Sequence, residues 1–252
     1  MKDTFVYTST MVRFYDIIYD AMLEKQSRDF YVDEIAKCRG PVLEIGTGTG
    51  RIFLRALYAG ADVHGIDIST NMLNFLKGKL DQKEHYRLNC QDVKNFKLDK
   101  KFNLIIAPFR MFSHLISVVE QFNALRCIRE HLTDDGRFMF DVFVPSPDKI
   151  DGETSENLVI DVEYEPGKRL QRFDIVTPDY IHQVQHITFR FYWDENDGQH
   201  QESVEFPFRY FFRYELEHLL TSANLNIEKM YGDFFGHSID EVQKEFVVVC
   251  GK

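Results

Sequence analysis

An acidic residue followed by three alternating glycines forms the most informative segment of the chain: Glu44, Gly46, Gly48 and Gly50. The apolar residues 42–45 around that acid predict a short strand. Glycine lets the backbone turn tightly and lets a ligand approach the main chain closely. Ligands of open α/β sheets bind just outside the carboxyl ends of the strands, which is where this loop lies. The segment therefore predicts a cofactor-binding loop, with a tight turn that binds nothing as the alternative.

The spacing of these glycines does not fit a nicotinamide dinucleotide. A loop of that kind needs the pattern G-x-G-x-x-G, in which the third glycine allows a helix to pack closely on a strand. Counting from Gly46 places the third glycine at Arg51, and counting from Gly48 places it at Phe53. The pattern fails in both registers, so a nicotinamide oxidoreductase is disfavoured.

The segment from Glu44 to Gly50 resembles the first motif of class I S-adenosylmethionine (SAM)-dependent methyltransferases. Two acids farther along agree with this resemblance, since Asp67 and Asp92 follow the next two predicted strands. The resemblance implies that Asp67 accepts hydrogen bonds from both ribose hydroxyls, that Met72 packs on the adenine and that Asp92 faces the adenine amine. Helix capping by Asp67, core packing of Met72 and a plain loop role for Asp92 are the alternatives.

The same resemblance implies SAM as the cofactor and a set of residues that bind it. Tyr15 and Tyr19 of the predicted N-terminal helix would cover the methionyl end, unless they pack in a core. The full set comprises Glu44, Gly46, Thr47, Gly48, Gly50, Asp67, Ile68, Met72, Asp92, Val93, Ala107, Tyr15 and Tyr19.

Strands and helices alternate over residues 42–144, a pattern that predicts a mostly parallel sheet with helices on both faces. Period-two alternation over residues 157–213 predicts three or four antiparallel strands, after which the first pattern resumes. The predicted fold class is α/β: a Rossmann-like, seven-stranded, mostly parallel sheet plus a small antiparallel β insert. We expect residues 1–148 and 214–252 to form a SAM-binding core with an N-terminal helical cap, and residues 149–213 to form a lid or substrate subdomain.

The loop after the fourth predicted strand is expected to lie beside the methyl group. Methyltransferases that act on nucleic-acid bases or on glutamine usually carry Asn/Asp-Pro-Pro-Tyr/Phe there, whereas this chain has Ala107-Pro108-Phe109-Arg110. The departure disfavours base methylation. His114 is the candidate general base or acceptor contact, with a solvent-exposed helix histidine as the alternative. Transfer from a sulfonium depends mainly on in-line positioning, so the chemistry requires no catalytic dyad and none is visible.

Side chains of the predicted insert supply a second group of acceptor candidates. Arg190 and Tyr192 share one face of a strand, where an aromatic wall would attract an amine through cation–π interaction. A surface role is the alternative for Arg110. The candidate substrate-binding residues are Phe109, Arg110, His114, Arg190 and Tyr192.

Composition restricts the partners and the compartment that we expect. The 252 residues include 30 basic and 40 acidic side chains, and the formal net charge of −10 disfavours nucleic acid and anionic membranes as partners. No apolar run is long enough to span a membrane, and no secretory signal is visible. The four cysteines contain no CxxC pair, so no metal site is predicted. We expect a cytoplasmic protein, and the sequence does not define its oligomeric state.

We expect a SAM-dependent methyltransferase that acts on the nitrogen or oxygen of a small molecule. A protein or RNA methyltransferase is the first alternative, and a non-catalytic SAM-binding sensor or assembly subunit is the second. The glycine loop fits all three hypotheses, and the sequence does not name the acceptor.

Overall fold

A computed structural model of the protein describes residues 7–22, 25–147, 150 and 152–252. The chain divides into two compact units. The insert unit comprises Met1–Leu23 and Pro145–Tyr210, and the core unit comprises Glu24–Val144 and Phe211–Lys252. In the described part of the chain, no helix is both long enough and apolar enough to cross a bilayer.

The helices and strands are numbered in chain order. The helices are α1 (Ser9–Met22), α2 (Lys25–Lys37), α3 (Phe53–Tyr58), α4 (Thr70–Lys77), α5 (Val118–His131) and α6 (Arg213–Ser222). The strands are β1 (Val42–Ile45), β2 (Val63–Asp67), β3 (Leu88–Cys90), β4 (Phe102–Ala107), β5 (Leu132–Phe143), β6 (Ser155–Glu165), β7 (Lys168–Asp179), β8 (Val184–Glu195), β9 (Gly198–Arg209), β10 (Asn226–Tyr231) and β11 (Glu245–Gly251).

The core unit is built on a seven-stranded sheet in the order β10-β11-β5-β4-β1-β2-β3. Strands β1 to β5 run parallel to one another, and β11 is antiparallel to both of its neighbours, β5 and β10. This order confirms the predicted Rossmann-like fold class. Because the parallel strands all end at the same edge, the loops that follow β1, β2 and β4 meet there.

Both faces of the sheet are covered by apolar clusters, as the near-continuous hydrophobic strands predict. In β4 the side chains alternate between the two faces. Leu104 and Ile106 pack in a cluster that contains Phe53 of α3 and the apolar side of α4. Ile105 packs in a second cluster, which contains Leu125 of α5 and the apolar side of α6. The parallel sheet is therefore a buried, rigid platform for the loops at its edge.

Side-chain caps start two of the helices that follow these loops. The Ser69 Oγ accepts a hydrogen bond from the Met72 N–H at 3.3 Å, so Ser69 is the N-cap of α4. Ser117 and Glu120 form a capping box at the start of α5. The caps satisfy backbone groups that the first turn of a helix leaves unpaired, so each helix begins at a defined residue.

The insert unit is a four-stranded antiparallel sheet, in the order β6-β7-β8-β9, together with α1. The buried face of α1 carries Met11, Phe14 and Ile18, which pack with Leu170 and Phe191 of the sheet. The sequence predicts that this helix caps the core and that the insert begins at residue 149. The structure instead groups the helix with the antiparallel strands, because its apolar stripe is buried within their cluster.

Candidate functional site

The glycine loop leaves β1 in a backbone conformation that only glycine adopts readily. Gly46, Gly48 and Gly50 have φ angles of 72°, 57° and 87°. The N–H groups of Gly46 and Thr47 donate to the carbonyl oxygen of Ile66 at 2.8 and 3.1 Å, which ties the loop to β2. A Cβ atom on Gly48 would meet nothing closer than the Gly46 carbonyl oxygen at 3.8 Å. The main chain at Gly48 is therefore open to a ligand.

Asp67 is the last residue of β2 and binds the glycine loop. Its Oδ2 accepts a hydrogen bond from the Gly48 N–H, and its Oδ1 accepts one from the Ser69 N–H, both at 2.8 Å. Burial raises the pKa of Asp67, and these N–H donors oppose the rise. The Ile68 N–H also lies close enough to lower the pKa of Asp67. A carboxylate has about four acceptor sites, so Asp67 can still accept a further hydrogen bond. The next residue, Ile68, is 44% exposed and adds an apolar surface.

Glu44 lies in β1, two residues before the loop, and is fully buried. Within the described part of the chain, its Oε2 has no hydrogen-bond partner. Burial raises the pKa of Glu44 well above its usual range, repulsion from Asp67 adds to the rise, and the Phe53 N–H opposes it. A buried carboxyl group that is short of a donor destabilises a protein, so a ligand that supplies the donor would be bound favourably here.

The loop between β4 and α5 meets the glycine loop at the same edge of the sheet. It follows the buried Ala107. Phe109 and Arg110 have left-handed φ angles of 57° and 59°, although neither is glycine. The left-handed conformation costs a non-glycine residue about 1–2 kcal/mol, so the turn must be held by its surroundings. Met111 packs on the glycine loop, because a Cβ atom on Gly46 would lie 2.7 Å from the Met111 Cγ.

Two acceptor candidates in this loop have defined environments. The Arg110 guanidinium forms an ion pair with Glu245 at the start of β11. His114 ends a 3-10 turn, Met111–His114, and is partly buried, so it is not the solvent-exposed histidine of the alternative prediction. Loss of hydration lowers the pKa of His114 to about 4, which makes the imidazole neutral at physiological pH. A neutral imidazole of this kind can accept a hydrogen bond but is a weak base.

Asp141 in β5 is a site residue that sequence reasoning missed. Its carboxylate is 2% exposed. The Tyr31 hydroxyl of α2 donates to Oδ1 at 2.6 Å, and the Arg110 N–H donates to Oδ2 at 2.9 Å. Burial raises the pKa of Asp141 to about 6, and the nearby Glu245 adds to the rise, while both donors oppose it. One signal could have found this residue, namely a single acid within the apolar run of residues 139–143.

The remaining cofactor candidates of the core unit lie around the same edge. Thr47 and Met72 are buried, the latter in the first turn of α4. The Asp92 carboxylate accepts a hydrogen bond from the Lys94 N–H at 2.9 Å and lies 3.4 Å from the Lys94 Nζ, so it stabilises its own turn. Val93 is partly buried against the apolar core. The contacts with adenine that the resemblance implies for Met72 and Asp92 stay predictions.

The candidates of the insert unit form a separate group. The rings of Tyr15 and Tyr19 on α1 lie 4.4 Å apart. Arg190 pairs with Glu156 at 2.8 Å. Tyr192 shares its face of β8 with Arg190, as predicted, because the alternating residues Phe189, Phe191 and Trp193 belong to the cluster that α1 covers. Both acceptor candidates of β8 therefore lie on the face of the antiparallel sheet that is opposite to α1.

Comparison with known proteins identifies the domain around the glycine loop. A family model described as a methyltransferase domain matches residues 42–136. A Bacillus subtilis protein, YqeM, which is named as a methyltransferase, is 23% identical over 226 residues, covering 86% of this chain and 87% of that protein.

Two solved structures match the fold over almost the whole of both chains. The CcbJ methyltransferase from Streptomyces caelestis superposes with a TM-score of 0.82 at 21% identity, covering 99% of this chain and 98% of that chain. The sugar N-methyltransferase KedS8 from a Streptoalloteichus species superposes with a TM-score of 0.73 at 19% identity, covering 100% and 98%. The fold, including the antiparallel sheet, is therefore one that methyltransferases use.

The strand order, the glycine loop and the acid that ends β2 define a Rossmann-like methyltransferase. Residues 42–136 match a methyltransferase domain, and the protein is a SAM-dependent methyltransferase with SAM as its cofactor. The predicted enzyme class and cofactor are confirmed.

The residues present fit this cofactor. The remaining acceptor capacity of Asp67 suits a ribose hydroxyl, and the open main chain at Gly48 lets the nucleoside approach. The Glu44 carboxyl, which lacks one donor, suits the ammonium group at the methionyl end. When bound, SAM supplies the methyl group on a sulfonium that is itself the leaving group. The work left to the protein is to bind, orient and exclude water.

Proposed function

We propose that the protein transfers the methyl group of SAM to a nitrogen or oxygen of a small molecule. The observation that carries this proposal is the antiparallel sheet of the insert unit, whose strands β6 to β9 lie between β5 and α6 in the chain. The likeness to KedS8, a sugar N-methyltransferase, extends over the whole chain and therefore includes this unit. The net charge of −10 argues against an RNA acceptor, because a negative chain is repelled by phosphate.

Nitrogen is the acceptor atom that the loop after β4 favours. A hydroxyl acceptor needs a base to remove its proton as the methyl group transfers, and an amine that is already neutral does not. His114 is neutral, but loss of hydration lowers its pKa to about 4, so it is a poor base for a hydroxyl. It can still accept a hydrogen bond from an amine N–H and orient the lone pair.

We also propose roles for the residues that the site brings together. Glu44, Asp67 and the glycine loop bind SAM, and the side chains of residues 149–213 select the acceptor. Selection of the acceptor can be tested by substitution of Tyr192. If its ring attracts an amine, Tyr192→Ala raises the acceptor KM about tenfold, whereas Tyr192→Phe, which keeps the ring, leaves it within about threefold. Equal turnover and KM in all three proteins would contradict the role of Tyr192.

The acceptor class is tested by transfer of a labelled methyl group from SAM into a cytosolic extract that is then separated by size. The matched control is Asp67→Ala, which removes the proposed ribose contact, and Asp134→Asn controls for the loss of a surface acid. Label in the small-molecule fraction, lost with Asp67→Ala and kept with Asp134→Asn, is the expected result. Label in protein or RNA would overturn the substrate class. No label from a protein that binds S-adenosylhomocysteine would contradict catalysis of this transfer.

A further inference from the structure

The turn at Phe109 and Arg110 raises the question of what holds it. Two successive residues with side chains occupy the left-handed region, in which such residues are rare. Neither has the short polar side chain of asparagine or aspartate, which stabilises this conformation locally. The turn is therefore maintained by contacts from outside the loop.

Those contacts converge on the Arg110 main chain and side chain. The Arg110 N–H donates to the Asp141 Oδ2 at 2.9 Å, and the guanidinium pairs with Glu245. The Asp141 carboxylate is itself held, because the Tyr31 hydroxyl donates to its other oxygen at 2.6 Å. Tyr31 is fully buried, and its ring packs edge-on to Phe30 at 5.6 Å. A helix, a strand and the loop thus meet at one carboxylate.

The turn at Phe109 and Arg110 also determines how the loop of residues 109–114 contacts the glycine loop. Met111 follows the turn directly and leaves no room for a side chain at Gly46. The Arg51 guanidinium, one residue past the last glycine of the loop, lies 5.2 Å from the ring centroid of Phe109. A shift of the turn would therefore move both contacts at the edge where the nucleoside binds.

We propose that Asp141 is a positioning residue of this enzyme: through the Arg110 N–H it fixes the loop of residues 109–114 against the glycine loop, and Tyr31 holds it in place for this task. The inference rests on the proposed methyl transfer at the same site. It assigns a role in SAM binding to a residue that need not touch the cofactor.

The state of the Asp141 carboxylate supplies a specific signature of this role. The titratable and charged groups that face it are Tyr31 from α2, Arg110 from the loop and Glu245 from β11. Both oxygens of Asp141 accept a hydrogen bond, so a proton on either oxygen competes with one of the two donors. Acid should therefore loosen the turn and weaken cofactor binding as the pH falls through about 6.

The test is calorimetric titration of full-length protein with S-adenosylhomocysteine at pH 7.5 and pH 5.5. We expect Asp141→Ala to weaken binding about tenfold at pH 7.5, the effect of losing one hydrogen bond to a charged group. Asp141→Asn carries a neutral amide in place of the protonated carboxyl, so its affinity at pH 7.5 should fall to that of wild type at pH 5.5. It should also abolish the part of the pH dependence that wild type owes to Asp141. Asp134→Asn, on the fully exposed side chain of the same strand, should change neither quantity.

Tyr31→Phe keeps the inference testable if the Asp141 variants do not fold. The Tyr31 hydrogen bond lowers the pKa of Asp141, so its loss should raise the pH at which affinity falls. Wild-type affinity in Asp141→Ala, or an unshifted pH profile in Tyr31→Phe, would overturn the inference. Wild type that binds S-adenosylhomocysteine but transfers no methyl group would instead contradict the proposed function.

Discussion

The pKa values of acidic residues shift in opposite directions at the amino edge of the parallel sheet, where its strands begin, and at the carboxyl edge, where they end. At the amino edge, Asp62 precedes β2 and receives hydrogen bonds from Lys100 at 2.7 Å and from Arg87 at 2.8 Å. These cations lower the pKa of Asp62 to about 2. At the carboxyl edge, Asp67 and Asp141 are held chiefly by N–H and O–H donors, and burial raises the pKa of both.

The difference separates acids that stabilise the fold from acids that stabilise a ligand. A carboxylate with a lowered pKa favours the folded state, whereas one with a raised pKa is a cost to the folded state at neutral pH. Acidic residues with shifted pKa values are frequent at sites that bind ligands, where function requires them despite their cost in stability. Asp67 and Asp141 thus reduce the stability of the folded protein at neutral pH, and they lie at the edge where we propose that the cofactor binds.

The largest expected contrast between the two edges is in cofactor affinity. Asp67→Ala removes two hydrogen bonds to a charged group and should weaken S-adenosylhomocysteine binding about 100-fold or more. Asp62→Ala, an acid just before the same strand, should leave affinity within about threefold. Calorimetric titration of both variants checks this pair. Equal losses in the two variants would mean that the edges do not differ in function.

Stability should respond to pH in opposite directions at the two edges. Asp141 has a folded-state pKa of about 6, above its unfolded value, so its ionisation destabilises the fold as the pH rises from about 4 to about 7. Asparagine does not ionise, so Asp141→Asn does not lose stability in this way. The free energy of unfolding of the variant should therefore increase relative to that of wild type by about 2 kcal/mol between pH 4.5 and pH 7. Urea unfolding measures this, and a difference that does not change with pH would contradict the assignment.

The lowered pKa of Asp62 predicts the opposite behaviour. Its contribution to stability is fully present above about pH 4 and is lost as the pH falls through about 2. Urea unfolding of wild type and Asp62→Asn should therefore converge in strong acid and differ at neutral pH. Convergence at neutral pH instead would show that the ion pairs of Asp62 contribute nothing.

A matched pair of glycines separates backbone strain from ligand approach. Gly48 and Gly60 both have positive φ angles, and a Cβ atom on Gly60 would meet nothing within 4 Å. Alanine should lower the free energy of unfolding by about 1–2 kcal/mol at either position. Only Gly48→Ala should also weaken cofactor binding, by about tenfold, because its Cβ atom projects where the ligand approaches. Thermal melts and titrations of both variants together decide between strain and ligand contact.

The smallest expected effect is at the amino edge. Lys100→Ala removes a partly exposed partner of Asp62 and should lower the free energy of unfolding by about 0.5–1 kcal/mol. Salt should reduce the difference between this variant and wild type. Cofactor affinity should not change, and a loss of affinity would show that the two edges are coupled.

The parts of the site that lie close together in the chain were predictable. The spacing of residues predicts both the glycine loop and Asp67, because a strand, a turn and a terminal acid occupy a short stretch of sequence. The link between Tyr31 and Asp141 joins residues 110 positions apart, and no local pattern pairs a helix tyrosine with a strand acid. The turn at Phe109 lacks the glycine or asparagine that normally marks a left-handed conformation, so it was also missed.

Packing partners were less predictable than the elements themselves. The apolar spacing of Phe14 and Ile18 predicts the helix α1, but a periodic stripe does not say which surface will cover it. The stripe packs with the antiparallel sheet of the insert unit. The alternation along β8 was more informative, because a period of two places Arg190 and Tyr192 on one face wherever the sheet lies.

The most direct test of the account is a crystal structure of the protein with S-adenosylhomocysteine. The account predicts that the ribose hydroxyls lie within hydrogen-bond distance of the Asp67 carboxylate and that the nucleoside passes over Gly48. It also predicts an unchanged contact between the Arg110 N–H and Asp141. A nucleoside bound away from the carboxyl edge, or a ribose that makes no contact with Asp67, would contradict it.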